Sequence, residues 1–282
     1  MSSVMIYTTE DGLTKIDLRL DNGTVWLSQA QIAEFFKDSV INVTNTGDDN
    51  MAFDIYAGGF SRFYARQWDN EAQAHAKETG THYQMIYAGD DPGPADWDEI
   101  QEAVQDWRGA IINGLREHVP SDLMWSEEKS APYFTDRPGW DAYSALIVMA
   151  ACTACNEALP ARLDEDALSS DLVMRTYDPQ MRNAFRSITK TQIWLPGSFE
   201  FSFDFVDLGN EPVHVGSVKA LNADLASICL KQGITPQDLE SALQEGYADD
   251  ADLKTLATFG LAVFTHIASK AQQNQLPILL SF

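Results

Sequence analysis

The sequence of this 282-residue chain predicts an α+β fold, on the strength of two periodic patterns. Residues 199–205 alternate phenylalanine with polar residues, the period of two that is typical of a half-buried strand. Trp97–Leu115 instead places its apolar residues at helical spacing. The distribution of such patterns predicts three regions, at residues 1–50, 51–190 and 191–282.

The first region begins with a predicted β-hairpin over residues 5–20. Asp11-Gly12 is a strong turn signal, and the residues after it alternate with period two. A further short strand is expected at residues 24–27. Ser28 is a good N-cap for a helix over residues 29–36. A hairpin followed by a helix is therefore the expected start of the chain.

Residues 6–36, which read IYTTEDGLTKIDLRLDNGTVWLSQAQIAEFF, resemble the opening of the RhuM family of bacterial and prophage proteins. The resemblance implies a winged-helix-like or helix-turn-helix-like start, with DNA contacted by the following helix. Residues 37–50 carry one lysine, and the acids Asp48 and Asp49 would face the phosphates. A DNA-binding head of this kind is therefore expected to be degenerate.

The middle region is predicted to be mainly helical, acidic and aromatic. Asp96 and Glu99 have the spacing of a capping box, so a helix is expected from there to about residue 117. Residues 121–138 read as a loop, and residues 140–159 as an apolar helix. An acidic linker or short helix follows at residues 160–171.

The last region is predicted to be a β-hairpin followed by three helices. Gly209-Asn210 turns the alternating strand into a second strand at residues 213–215. Ser217 is an N-cap, and Pro236 stands at the first position of another helix. The three helices are expected at residues 218–231, from Pro236 onward and at residues 249–273. A closing strand is expected at residues 276–280.

The charge of the chain limits its partners. Nineteen Lys and Arg oppose 42 Asp and Glu, which gives a formal net charge of −23. Nucleic acids and anionic membranes would be repelled by this surface, whereas a basic protein would be attracted. The sequence shows no secretory signal and no apolar run long enough for a membrane span. With an odd count of three cysteines, it predicts a soluble, cytoplasmic protein.

No motif predicts a catalytic residue, a metal or a cofactor. Cys152 and Cys155 lie in the apolar helix without a second ligand pair, which favours buried structural thiols over a zinc site. His214 and His266 are interpreted as residues at the edge of the core or on the surface. An enzyme with an unrecognised site, built around Asp90, Asp91 and His82, remains an alternative hypothesis.

Acids and tryptophans are interleaved between residues 90 and 140, as at an interface for a basic protein. The alternative is that the tryptophans are core and the acids are the outer face of the same helix. The candidate partner-binding residues are Asp90, Asp91, Asp96, Trp97, Asp98, Glu102, Asp106, Trp125, Glu127 and Glu128.

The predicted function is that of an acidic cytosolic binding protein that inhibits or neutralises a basic protein partner. Immunity proteins and anti-defence proteins of phages are of this type. The first alternative is a RhuM-like, prophage-associated regulator, and the second is an enzyme.

Overall fold

The computed structural model describes residues 3–8, 15–21, 24–26, 53–70, 73–74, 77–78, 96–115, 123–162, 167–178, 180–181, 184–248 and 250–281. The chain divides into two compact units, Met1–Met51 and Ala52–Phe282. The structure confirms the α+β class, because the described part of the larger unit combines eight α-helices with a mixed sheet of six strands.

The first unit contains a three-stranded antiparallel sheet in the order β1-β2-β3. Its strands are β1 (Ser3–Thr8), β2 (Lys15–Asp21) and β3 (Thr24–Trp26). The helix predicted over residues 29–36 and the acidic segment at 37–50 lie outside the described residues.

The second unit is built on a six-stranded sheet in the order β5-β4-β9-β6-β8-β7. Its strands are β4 (Asp54–Ala57), β5 (Phe134–Asp136), β6 (Ile193–Leu195), β7 (Phe203–Val206), β8 (Pro212–Ser217) and β9 (Ile278–Ser281). Neighbouring strands are antiparallel except β6 and β8, which are parallel. The boundary predicted near residue 190 lies inside this unit, since the sheet takes strands from both sides of it. The predicted loop at residues 121–138 likewise contains β5.

Eight α-helices are described in the same unit. They are α1 (Phe60–Tyr64), α2 (Trp97–Leu115), α3 (Gly139–Cys155), α4 (Asp171–Arg175), α5 (Arg186–Thr189), α6 (Val218–Gln232), α7 (Pro236–Glu245) and α8 (Leu253–Asn274). In the described residues, no helix combines the length and the apolar character needed to cross a membrane.

The starts of the last three helices follow from their caps. The Ser217 hydroxyl accepts a hydrogen bond from the Ala220 amide, as the sequence predicts for α6. Thr235 and Asp238 form a reciprocal capping box at α7. Helix α8 begins at Leu253 instead of residue 249, because the Asp252 carboxylate caps it.

The phenylalanine-rich strand is shorter than its alternating pattern predicts. Strand β7 begins only at Phe203, which lies opposite Val215. Strand β8 continues past Val215 to Ser217, where the chain turns into α6, but Gly216 and Ser217 pair with β6 and not with residues 201–202. Phe199 is buried nonetheless, whereas Phe201 is 38% exposed.

The two faces of the sheet contact different cores. Ile55 and Ile278 lie in a cluster that includes the mainly aliphatic side chains of α3, α6 and α8. Their strand neighbours Tyr56 and Leu279 lie in a second cluster, which is rich in aromatic rings and contains the buried face of α2. The sheet is therefore covered on both sides, and α2 presents its other face to solvent.

Candidate functional site

The inner face of α2 lies against the aromatic core. Trp97, Trp107 and Trp125 are all buried. The Trp107 indole donates a 2.7 Å hydrogen bond to the Val206 carbonyl, and its ring centroid lies 4.8 Å from that of Phe60. Tryptophan rings packed in this way are core residues. Of the two interpretations of the acid and tryptophan pattern, the structure favours a tryptophan core with acids on the outer face.

Glu127 is a buried acid in the middle of this core. Its carboxylate accepts hydrogen bonds from the Phe60 amide at 3.1 Å and from the Ser61 amide at 2.7 Å, both at the start of α1. The Trp125 indole donates to the same carboxylate. These donors compensate for its burial. Trp97, Trp125 and Glu127 thus lie inside the protein, and their expected place on a partner-binding surface is corrected.

Two basic side chains lie on the rings of these tryptophans. Lys129 Nζ is 4.7 Å from the centroid of a Trp97 ring, and the Arg108 guanidinium is 4.6 Å from that of Trp125. Arg108 also donates a 3.1 Å hydrogen bond to the Trp125 carbonyl. Both cations are therefore held by cation–π contacts instead of pairing with the acids of α2.

The outer face of α2 carries a row of exposed carboxylates. Asp98, Glu102 and Asp106 follow one another at intervals of four residues, so they lie along one side of the helix. We call these three residues the acid column. Across the described residues, no ion pair involves any of them. The column is thus a concentrated negative charge to which none of the described cations is bound.

The remaining candidates lie apart from the column or outside the description. Asp96 is exposed and has a local role, because its carboxylate accepts a 2.8 Å hydrogen bond from the Asp98 amide at the start of α2. Glu128 is exposed, next to the buried Glu127. Asp90 and Asp91 lie outside the described residues, as does His82.

The structure brings together three polar side chains, Ser202, Asp204 and His214, whose proximity the sequence did not predict. His214 Nδ1 lies 2.7 Å from Asp204 Oδ1, and His214 Nε2 lies 2.7 Å from Ser202 Oγ. Lys190 Nζ also donates to Asp204 Oδ1, at 3.1 Å. The signal for it was the alternation of residues 199–205, whose polar positions 202 and 204 share one side of the strand. The alternation did not indicate that His214, on the neighbouring strand, would lie beside these two positions.

The cysteines do not form a reactive site in the structure. Cys152 is buried near the end of α3, and Cys155 is partly buried. Burial raises the pKa of the Cys152 thiol, which disfavours the thiolate needed for metal binding or nucleophilic attack. In the part of the chain that the structure describes, no group of three or more His, Cys, Asp or Glu side chains is arranged to hold a metal ion.

No protein-family model, curated protein or solved structure matches the chain. The resemblance of residues 6–36 to the RhuM family consequently rests on the sequence of that segment alone, and a regulator of that type remains a prediction.

Proposed function

We propose that the chain is an acidic binding protein that neutralises a basic protein partner, and that the acid column of α2 is the centre of its docking surface. The observation that carries the proposal is the lack of an intramolecular ion pair at Asp98, Glu102 and Asp106 among the described residues. A basic partner would supply cations to carboxylates that the described basic side chains of this chain do not pair with.

The rigidity of α2 supports this role. The helix is fixed to the sheet by the buried side chains of Trp97, Val104, Trp107 and Ile111 on its inner face. Its outer carboxylates are therefore presented in a fixed spacing, and little conformational entropy is lost at the helix when a partner binds. Residues on a rigid element also give a more specific interface than residues on a loop.

The net charge of −23 supports the same proposal over longer distances. A strongly negative protein accelerates its encounter with a basic partner, and the rate of association falls as salt screens the charges. An immunity protein against a basic toxin, or an anti-defence protein against a basic nuclease, requires this kind of fast capture.

The proposal is tested by removing the column without changing the shape of the helix. The variant Asp98→Asn/Glu102→Gln/Asp106→Asn removes three charges. The matched control Glu211→Gln/Glu240→Gln/Glu245→Gln removes three exposed charges outside α2. Basic proteins retained by the immobilised wild-type chain at low salt are eluted with salt and identified by mass spectrometry. The Kd of each is then measured by isothermal titration calorimetry.

We expect the column variant to bind the partner about tenfold or more weakly than the control, mostly through slower association. If the column variant and the control bind the partner with the same Kd, the net charge determines binding regardless of where the charges lie. The column is then not the docking surface. If the wild-type chain retains no basic protein at low salt, the proposed function itself is overturned.

A further inference from the structure

Ser202, Asp204 and His214 meet because of the register of two adjacent strands. Asp204 in β7 lies directly opposite His214 in β8, and Ser202 is two residues before Asp204. Side chains at i and i+2 of an extended chain share one side, so Ser202 and Asp204 both reach the imidazole. The backbone of His214 is held by Gln192, whose amide donates to the His214 carbonyl at 2.9 Å and whose side-chain oxygen accepts from the His214 amide at 3.2 Å.

The hydrogen bonds determine which nitrogen of His214 carries the proton. The hydrogen bond from His214, with a further contribution from Lys190, lowers the pKa of Asp204 to about 2, so this carboxylate is ionised and can only accept. Nδ1 of His214 must therefore carry the hydrogen that Asp204 accepts. Burial lowers the pKa of His214, which keeps the ring neutral at pH 7. Nε2 is then the unprotonated nitrogen, and it accepts the hydroxyl proton of Ser202.

This is the arrangement that a serine nucleophile requires. The hydroxyl is bonded to a neutral base, and the base is oriented by a carboxylate on its other nitrogen. We propose that Ser202, His214 and Asp204 form a nucleophilic site that hydrolyses carboxylic esters, with Ser202 as nucleophile, His214 as general base and Asp204 as the positioning residue for His214.

The steps of the reaction follow from the hydrogen bonds. Ser202 Oγ forms a bond to the carbonyl carbon of the ester while His214 Nε2 takes the hydroxyl proton. The bond between that carbon and the alcohol oxygen breaks, and the alcohol leaves with the proton from Nε2. A water molecule, deprotonated by His214, then attacks the carbonyl carbon of the acyl-serine. The bond between that carbon and Ser202 Oγ breaks, and Oγ takes the proton back from Nε2. The products are the carboxylic acid and free Ser202, so ester and water are converted to acid and alcohol.

The surroundings favour a substrate that approaches from solvent. The His214 side chain is 8% exposed, whereas that of Asp204 is 79% exposed. Ser202 is partly exposed at the margin of the sheet. The charged groups that act on His214 are Asp204, Lys190 and Arg186, and the two cations both oppose its protonation. An ester carried on a small molecule or an exposed side chain can reach Ser202 without entering the core.

The test uses an alkyl fluorophosphonate, which reacts with activated serines by forming an Oγ–P bond as fluoride leaves and His214 takes the proton. The folded wild-type chain is incubated with the probe, and the modified residue is located by peptide mass spectrometry. The variants are Ser202→Ala, His214→Gln and Asp204→Asn. Ser198→Ala removes an exposed hydroxyl outside the group and is the matched control.

We expect an adduct on Ser202 in the wild-type chain and in Ser198→Ala, and none at that position in Ser202→Ala. The labelling rate should fall by a factor of about 100 or more in His214→Gln, the usual loss on removal of a general base. An absence of adduct on Ser202 of the wild-type chain overturns the proposal. An unchanged rate in both His214→Gln and Asp204→Asn overturns it equally, because the serine would then react without the group.

The pH dependence provides a readout that a purely structural role would not give. Only the neutral imidazole accepts the proton, so the labelling rate should be constant at neutral pH and fall as His214 becomes protonated. Because the pKa of His214 is lowered, the midpoint should lie below the usual histidine range. The hydrolysis of p-nitrophenyl acetate should show the same midpoint. A rate that increases steadily with pH, as for attack by hydroxide alone, overturns the proposal.

Discussion

Glu127 and the acid column of α2 are carboxylates from the same acidic stretch, yet they relate to solvent in opposite ways. Glu127 is 9% exposed and accepts three hydrogen bonds inside the aromatic core. Asp98, Glu102 and Asp106 are exposed and lack an ion pair within the described part of the chain. Identical chemistry therefore serves the fold in one place and remains available to a partner in the other.

The difference follows from the geometry of the backbone around each group. Glu127 meets two amides at the start of α1, where the first N–H groups of a helix have no partner within the helix. The column lies on the outer side of a helix whose inner side is filled by tryptophan. The number of available donors, and not the density of acids in the sequence, thus decides which carboxylate is buried.

The largest effect on stability is expected from Trp125, which contacts both the buried Glu127 and Arg108 on α2. Its indole donates to Glu127, and its ring lies under the Arg108 guanidinium. Trp125→Ala should lower the free energy of unfolding by about 3–5 kcal/mol, the usual cost of removing a large buried ring. Urea denaturation followed by circular dichroism measures the change. A loss of less than 1 kcal/mol would show that the ring is not part of the core.

A smaller but more specific effect is expected from Glu127 itself. Glu127→Ala leaves the amides of Phe60 and Ser61 without an acceptor, so the free energy of unfolding should fall by about 2–3 kcal/mol. The neighbouring variant Glu128→Ala is the control, and it should change stability by no more than about 0.5 kcal/mol because Glu128 is exposed. Equal losses of unfolding free energy in the two variants would contradict the proposed difference between the buried and the exposed acid.

The smallest effect, of opposite sign, is expected from the acid column. Like charges four residues apart on a helix repel by a few tenths of a kcal/mol per pair. The variant Glu102→Gln/Asp106→Asn removes both repulsive pairs and keeps Asp98, whose charge is favourable in the first turn of α2. It should therefore be slightly more stable than the wild-type chain, by about 0.5 kcal/mol at low ionic strength. The gain should disappear in high salt, which screens exposed charges. A loss of stability would mean that the column has an intramolecular partner.

Local signals in the sequence predicted the five longer helices of the larger unit, α2, α3, α6, α7 and α8, but not the short helices α1 and α5. The helical spacing of Trp97–Leu115 and the cap at Ser217 both correspond to observed elements. These features depend on side chains within a few residues of each other. The α+β class followed from them without knowledge of any long-range contact.

The sequence could not predict which distant segments pair with each other. Nothing local indicates that β5 pairs with β4, so residues 134–136 read as part of a loop. The burial of Glu127 depends on amides about 66 residues away in the chain, and an acid in an acidic stretch reads as exposed. His214 was interpreted as a residue at the core edge for the same reason, because the partners of its ring come from the neighbouring strand.

Strand β9 determines when during synthesis the larger unit can complete its sheet. It lies between β4 and β6, and it is translated after both of them. Until β9 has left the ribosome, these two strands each have an edge whose backbone groups lack their final partner. Such edges are templates for association with other chains. The interval before β9 emerges is thus when the edges of β4 and β6 are most open to pairing with another chain.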